Sequence, residues 1–145
     1  MSEDNKTDEQ ISELLNSVRT IALVGASNSP DRPSYGVMEF LLAKGYEVHP
    51  INPGFAGKTL LGRTVYASLA DVPAPVDMID IFRNSEAAGE VIRAAIPMKE
   101  RLGLKAVWMQ LGVRNDDAAR AAEAAGITAV FDRCPKIEIA RLHLK

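Results

Sequence analysis

The sequence predicts an α/β domain built on a parallel sheet of five strands. Three observations predict it. Five strand-length apolar runs recur along the chain: Ile21–Val24, Tyr46–Ile51, Val76–Phe82, Lys105–Met109 and Ile127–Phe131. The first has no polar face, the pattern of a strand covered on both sides. The runs alternate with helical periodicity, and alternation of that kind means a parallel sheet with right-handed crossovers. The chain has 145 residues, which suits one domain and is enough to bury a core.

The elements follow in order. Residues 1–6 are expected to fray. Thr7 is a good N-cap, and Gln10 three residues on completes a capping box. Ile11, Leu14, Leu15 and Val18 then share one helical face, so this helix is expected to pack on the sheet. After the first strand comes Gly25-Ala26-Ser27, a polar loop, and a helix opened by Pro33. Gly45 is the expected residue just past its end. Gly36, inside the first turn of that helix, costs stability relative to alanine. It predicts either a close approach of ligand or backbone, or tight helix–strand packing.

The second strand ends at Asn52-Pro53-Gly54. A loop of about a dozen residues follows where a crossover helix is common, with a single helical turn near Ser68–Val72. Asn84 or Ser85 caps the helix after the third strand. Pro97 is expected to kink or restart that helix, and Gly103 to end it. Asn115 caps the next one, with Asp116 and Asp117 at its positive end. Six alanines between Ala118 and Ala125 make it slim. Gly126 ends it. The segment from Asp132-Arg133-Cys134-Pro135 onward is expected to close the fold, in part as helix.

Repeats and low-complexity tracts are absent. The strand order expected is 3-2-1-4-5. A ligand then sits at the carboxyl ends of the strands, beside the switch point between strands one and four. That rule selects Gly25–Asn28, Ile51–Pro53, Phe82-Arg83 and Met109–Gly112. The first of these leads to a helix start, where unpaired N–H groups and the helix dipole favour a phosphate.

Composition narrows the function classes. The net charge is −2 and the pI about 5.7, so no nucleic-acid or membrane surface is indicated. The lone cysteine, Cys134, rules out an intrachain disulfide and suits a reducing compartment. The polar, acidic start is not a secretory signal, and no apolar run is long enough for a membrane span. A cytoplasmic location is expected. His49 and His143 are far apart, so no metal site is expected, and His49 reads as structural. Asp80 lies inside an apolar run, where a bare carboxylate is costly. Its expected role is to accept hydrogen bonds from a loop's backbone amides. Ser27 has no evident base and suits phosphate binding better than attack. Cys134 reads as a buried, inert thiol. Trp108 and Met109 read as core and rim.

The ligand class follows from the first two strand ends. A G-x-G-x-x-G turn is missing: Gly25 is followed by no glycine until Gly36. NAD sites place an acidic residue at the end of the second strand. Here that strand ends in Asn52, with Glu47 at its beginning and Lys58 and Arg63 soon after. A site without the acid and with cations nearby favours a phosphorylated ribose, as in NADP or coenzyme A.

At these residues the chain resembles the small stand-alone CoA-binding proteins. These are Rossmann-like domains similar to the CoA-binding domain of succinyl-CoA synthetase alpha subunits. The resemblance rests on IALVGASNSPDRPSYGVM, VHPINPG, GKTLLGRTVYASLADVP, VDMIDIFR, VWMQLGV and the closing DRCP. It implies a doubly wound, Rossmann-like five-stranded sheet with an extra N-terminal helix, in one domain spanning residues 1–145. It implies phosphate contacts at Ala26, Ser27 and Asn28 beside Gly25. It also implies ligand contacts from Asn52 and Pro53, from Phe82 and Arg83, and from Met109, Gln110 and Gly112. Arg32, Tyr35 and Gly36 belong to the first motif and join the binding candidates. The synthetase domain carries a lysine just after the Pro-Gly; Phe55 stands there in this chain, and Lys58 and Arg63 are the candidate substitutes. The Cys-Pro motif places Cys134 near the thiol end of coenzyme A. The expected function is binding of coenzyme A or an acyl-CoA without catalysis, with no catalytic or metal-ligating residue. The alternatives are an NADP-binding oxidoreductase domain and a CoA-sensing regulatory subunit that docks on an enzyme.

Overall fold

The structure, a computed structural model, describes residues 6–144. Its helix α1, Asp8–Ser17, starts at the expected capping box. The Thr7 hydroxyl accepts from the Gln10 amide at 3.1 Å, and the Gln10 side chain accepts from the Thr7 amide at 2.8 Å. The fraying expected of residues 1–5 lies outside the described residues. Lys6 is held: its ammonium meets Glu123 at 3.0 Å.

The main sheet holds β1 (Thr20–Val24), β2 (Glu47–Ile51), β5 (Met78–Ile81), β6 (Ala106–Met109) and β7 (Thr128–Val130), all parallel. Between β2 and β5 lies a small hairpin, β3 (Thr59–Leu60) with β4 (Arg63–Thr64). The remaining helices are α2 (Pro33–Ala43), α3 (Ser85–Ala95), α4 (Lys99–Leu102), α5 (Asp116–Ala124) and α6 (Pro135–Arg141). Two cores flank the sheet. Ile11, Leu15, Met38, Leu41 and Ile139 of α1, α2 and α6 pack with Ile21, Leu23 and Trp108 on one face. Ala88, Ile92, Leu102, Ala118 and Ala122 of α3, α4 and α5 pack with Ile79, Val107 and Ala129 on the other. A single α/β domain of Rossmann-like, doubly wound form results.

The strand order corrects the expectation. It is β2-β1-β5-β6-β7, or 2-1-3-4-5 in terms of the five predicted strands. The reason is in β2. The N–H groups of Gly25 and Ala26 reach Ile51 O, at 3.1 and 3.2 Å, so alternate β2 residues face β1. Pro50 therefore faces outward, and it has no N–H to give a further strand. That outer edge is instead covered by Tyr66, whose N–H donates to Pro50 O and whose carbonyl accepts from Asn52 N, each at 2.9 Å. The chain then runs under the sheet, burying Leu69, Val72 and Val76 on the α3–α5 side, and joins β1 on its free edge. The hairpin and a short 3₁₀ turn, Leu69–Asp71, replace a crossover helix. The switch point accordingly lies between β1 and β5, not between the first and fourth strands.

Local expectations held at the helix ends: Asn84 and Asn115 cap α3 and α5, accepting from the Ala87 and Ala118 amides at 2.8 and 3.0 Å. Pro97 restarts the chain through a 3₁₀ turn, Ile96–Met98, into α4. Two expectations were revised. A Cβ on Gly36 would meet no protein atom within 4 Å, so neither close packing nor close backbone explains that glycine, and of its expected readings only a ligand's approach stands. Asp80 accepts no hydrogen bond among the described residues. Its neighbour Asp77 performs the expected task, accepting from the Arg19 and Thr20 amides at 2.8 and 3.1 Å. The register of the strand decides this: Asp77 precedes β5 at the sheet's open end, whereas Asp80 is buried among paired strands.

Candidate functional site

The carboxyl ends of β1, β5 and β6 enclose a cleft of about 670 Å³. Gly25 starts it. Its φ is +89°, and a Cβ there would collide with the Phe82 carbonyl, standing 3.0 Å from its carbon. Only glycine lets the β1 loop turn that close to β5. Ala26 is buried, and the Ser27 hydroxyl accepts from Ser29 N at 3.1 Å, which leaves its own hydrogen for a ligand. The Ser29 hydroxyl donates to Asp31. That bond, with Arg32 adding less, holds the Asp31 carboxyl below the ordinary range.

Asn52 braces this loop from β2. Its Nδ2 donates to Ala26 O at 2.8 Å and its Oδ1 accepts from Gly54 N at 2.7 Å. Helix α2 begins with no side-chain cap; Pro33 has no N–H and Tyr35 N donates to Arg32 O at 3.1 Å, which leaves the Ser34 amide of the first turn for a ligand. Ser34 of its first turn lines the cleft. Arg32 and Arg83 flank it on either side of the switch point, both exposed and in no ion pair among the described residues. The far wall is Gln110, with Leu111 and Val113. Gln110 is 7% exposed and its Oε1 accepts nothing.

Eight of the expected residues thus converge: Gly25, Ala26, Ser27, Arg32, Asn52, Phe82, Arg83 and Gln110. The others lie outside the cleft. Met109 is fully buried on the opposite face, because the residue after Trp108 must point the other way. Gly112 is tied down, its N–H donating to Asp132 at 2.8 Å. Tyr35 packs on the α1–α2–α6 core, and Gly36 lies in α2 behind Ser34. Asn28, Pro53 and Lys58 are exposed on loops beyond the rim. Arg63 pairs with Glu47 at 3.0 Å, at the start of β2 and away from the cleft. Pro33, Ser34, Asn84, Leu111 and Val113 line it as well. Their signal was adjacency: each is within a few residues of a strand end already selected.

Cys134 is 5% exposed and lines a neighbouring depression of about 860 Å³, which meets the cleft at Leu111. The polar groups there are spent on one another. Arg133 meets Glu138 at 2.7 Å, and Arg141 meets Glu138 and Asp8 at 2.8 and 2.9 Å. The bond from Arg141 holds the Asp8 carboxyl below the ordinary range. The smaller cleft has two arginines in no ion pair and the Ser27 and Ser34 amides without a partner among the described residues, and is the candidate site. His49 packs edge-on against Tyr66 with centroids 5.8 Å apart, and burial holds its imidazole below the usual range. No group of three or more His, Cys, Asp or Glu that could hold a metal occurs among the described residues. No described helix is long and apolar enough to cross a membrane.

Known proteins resemble the chain across this whole frame. An uncharacterized protein of Bacillus subtilis (strain 168), YneT, is 31% identical over 137 residues, covering 92% of this chain and 94% of that protein. The solved structure of a hypothetical protein from Pyrococcus horikoshii OT3 is 38% identical with a TM-score of 0.90, covering 99% of this chain and 96% of that one. An acetyl-coenzyme A synthetase from Ca. Korarchaeum cryptofilum matches with 26% identity and a TM-score of 0.64; the match covers 80% of this chain and 27% of the synthetase. A family model described as a CoA binding domain matches residues 19–140. The fold, its cleft and this match agree, and the chain belongs to the CoA binding domain family.

Proposed function

We propose that the protein binds coenzyme A or an acyl-CoA in the cleft between β1, β5 and β6, and has no catalysis of its own. One observation carries the reading. The Gly25–Ser27 loop, the uncapped start of α2 and two unpaired arginines meet at the switch point. That combination offers the Ser27 and Ser34 amides, a hydroxyl and positive charge to a diphosphate, the Gly25 and Ala26 amides being spent on Ile51 O. From the diphosphate, the adenosine half extends toward β2. There Asn52 stands where an NAD site has its acid, and Lys58, exposed on the loop beyond, has no ion pair among the described residues. The pantetheine half extends toward β6, over Gln110 and Leu111. The described lining of the cleft holds no His, Asp, Glu or Cys, which supports a binding role.

A thermal-shift panel of CoA, acetyl-CoA, dephospho-CoA, NAD and NADP tests this. A ligand at a hundredfold excess over Kd adds about 2.7 kcal/mol to the native state, several degrees for a domain of this size by the usual scaling. CoA is expected to give the largest shift and NAD essentially none, with dephospho-CoA reporting the worth of the ribose phosphate. A strong NADP shift without a CoA shift would overturn the proposal in favour of an NADP-binding domain.

A further inference from the structure

Among the described residues, three fully buried side-chain oxygens lack any hydrogen-bond partner: both carboxyl oxygens of Asp80 and Oε1 of Gln110. They share one sheet face. Met78 belongs to the α1–α2–α6 core and Ile79 and Ile81 to the opposite one, so Asp80 faces the former. On β6, Ala106 and Trp108 face that side and Met109 the other. The alternation gives Gln110 the same side as Asp80. Strand geometry persists that far, since Gln110 N donates to Ile81 O at 3.2 Å. Asp80 stands opposite Trp108 in register, so Gln110 is its diagonal neighbour. The two side chains therefore share one face of adjacent parallel strands, two residues apart in register. Asp80 lies one step deeper in the sheet, and Gln110 forms the cleft wall above it.

We propose that Asp80 is a neutral carboxylic acid whose O–H donates to Oε1 of Gln110, and that this fixes the amide with its NH₂ presented to the cleft. Asp80 is then a positioning residue, and Gln110 is the contact. This inference rests on the coenzyme A reading of the cleft. On the β6 side of the diphosphate, the acceptor that meets the NH₂ is an amide carbonyl of the pantetheine arm.

The surroundings favour the neutral acid. Leu23 and Trp108 flank Asp80 in register, and α2 contributes Val37, Met38 and Leu41 to the same core. The titratable groups of that core are Tyr35, Tyr46 and Cys134. Tyr46 spends its hydroxyl on Leu15 O at 2.7 Å. The other buried charged residues, Arg133 and Glu138, neutralise each other at 2.7 Å. Burial, with no compensating charge, pushes the Asp80 carboxyl well above the ordinary range. Ionisation would reverse the amide. The carboxylate would draw the NH₂ inward, and Oε1 would face the ligand's carbonyl oxygen instead.

The test compares Asp80→Asn, which keeps a donor toward Gln110, with Asp80→Leu, which removes it. The probes are CoA and 3′-phosphoadenosine 5′-diphosphate, which lacks the pantetheine arm. Asp80→Asn is expected to bind CoA within about twofold of the wild type, and Asp80→Leu roughly five- to tenfold more weakly, the worth of one hydrogen bond. Neither change is expected to alter binding of the armless probe. Wild-type CoA affinity is expected to fall with rising pH as Asp80 ionises, and the Asn variant to lose that dependence. An infrared difference spectrum, wild type minus Asp80→Asn, is expected to contain a protonated-carboxyl band at neutral pH. Absence of that band overturns the proposal even if Asp80→Leu fails to fold. So does an Asn variant as impaired as the Leu variant. A wild type that binds neither probe overturns the reading of the cleft instead, and the infrared band then still decides the protonation of Asp80.

Discussion

Replacing Gly25 by alanine perturbs the fold and the site together. The residue has φ +89° and sits where β1 turns into the Gly25–Ser27 loop. An L side chain in that left-handed region costs about 1–2 kcal/mol. The added Cβ also collides with backbone, the Phe82 carbonyl, which cannot swing away as a side-chain tip could. Overpacking of that kind costs about 1–3 kcal/mol more. The sum is about 2–5 kcal/mol, against about 5–15 kcal/mol for a typical domain. Gly25→Ala is therefore expected to fold, with a melting temperature roughly 4–20 °C lower, and to lose most CoA affinity as the loop moves off β5. Gly36→Ala is the internal control. That site is helical and open, with no atom within 4 Å of an added Cβ, so the change is expected to add about 0.5–1 kcal/mol. Urea titrations of both variants give the two values through the midpoint and slope. A Gly25→Ala stability within about 0.5 kcal/mol of the wild type would refute the account of the loop.

Three further outcomes are expected. Ser27→Asp places a negative charge at the diphosphate, so CoA affinity should fall at least about tenfold, or 1.4 kcal/mol, with an unchanged circular dichroism spectrum; unchanged affinity would put the diphosphate elsewhere. Asp80 has a folded-state pKa above its unfolded one, so folding takes up a proton between the two. Its contribution to stability therefore declines by about 1.4 kcal/mol per pH unit from near pH 3.9 up to the folded value, and is level above it. Urea titrations across pH should find Asp80→Asn gaining on the wild type along that slope, and a pH-independent difference would contradict a buried neutral acid. Cys134, buried and free, should react with a thiol reagent far more slowly in native protein than in urea; a CoA adduct formed from CoA disulfide under native conditions would instead locate the pantetheine thiol beside it.

Much of the fold was legible because it rests on local rules. The Thr7 capping box, the Asn84 and Asn115 caps and Pro33 at the head of α2 are set by a few neighbouring residues and the backbone groups they satisfy. The strand ends that bound the cleft were legible for a related reason. A buried parallel strand must end in a turn, and a ligand binds where those turns gather. Strand order was decided by tertiary structure, although Pro50 carried a hint: a residue with no N–H marks an edge strand. The sequence does not say whether an edge faces solvent or the covering Tyr66 segment, and that covering sent the chain past β1 to β5. The cleft membership of Lys58 and Arg63 was beyond local reading too, since a long side chain goes to whichever charge the folded chain brings near, and Arg63 was brought to Glu47. Asp77 and Asp80 make the same point at closer range. They are the same residue type three positions apart, and only the register of β5 against its neighbours made one an acceptor for backbone amides and sealed the other in the core.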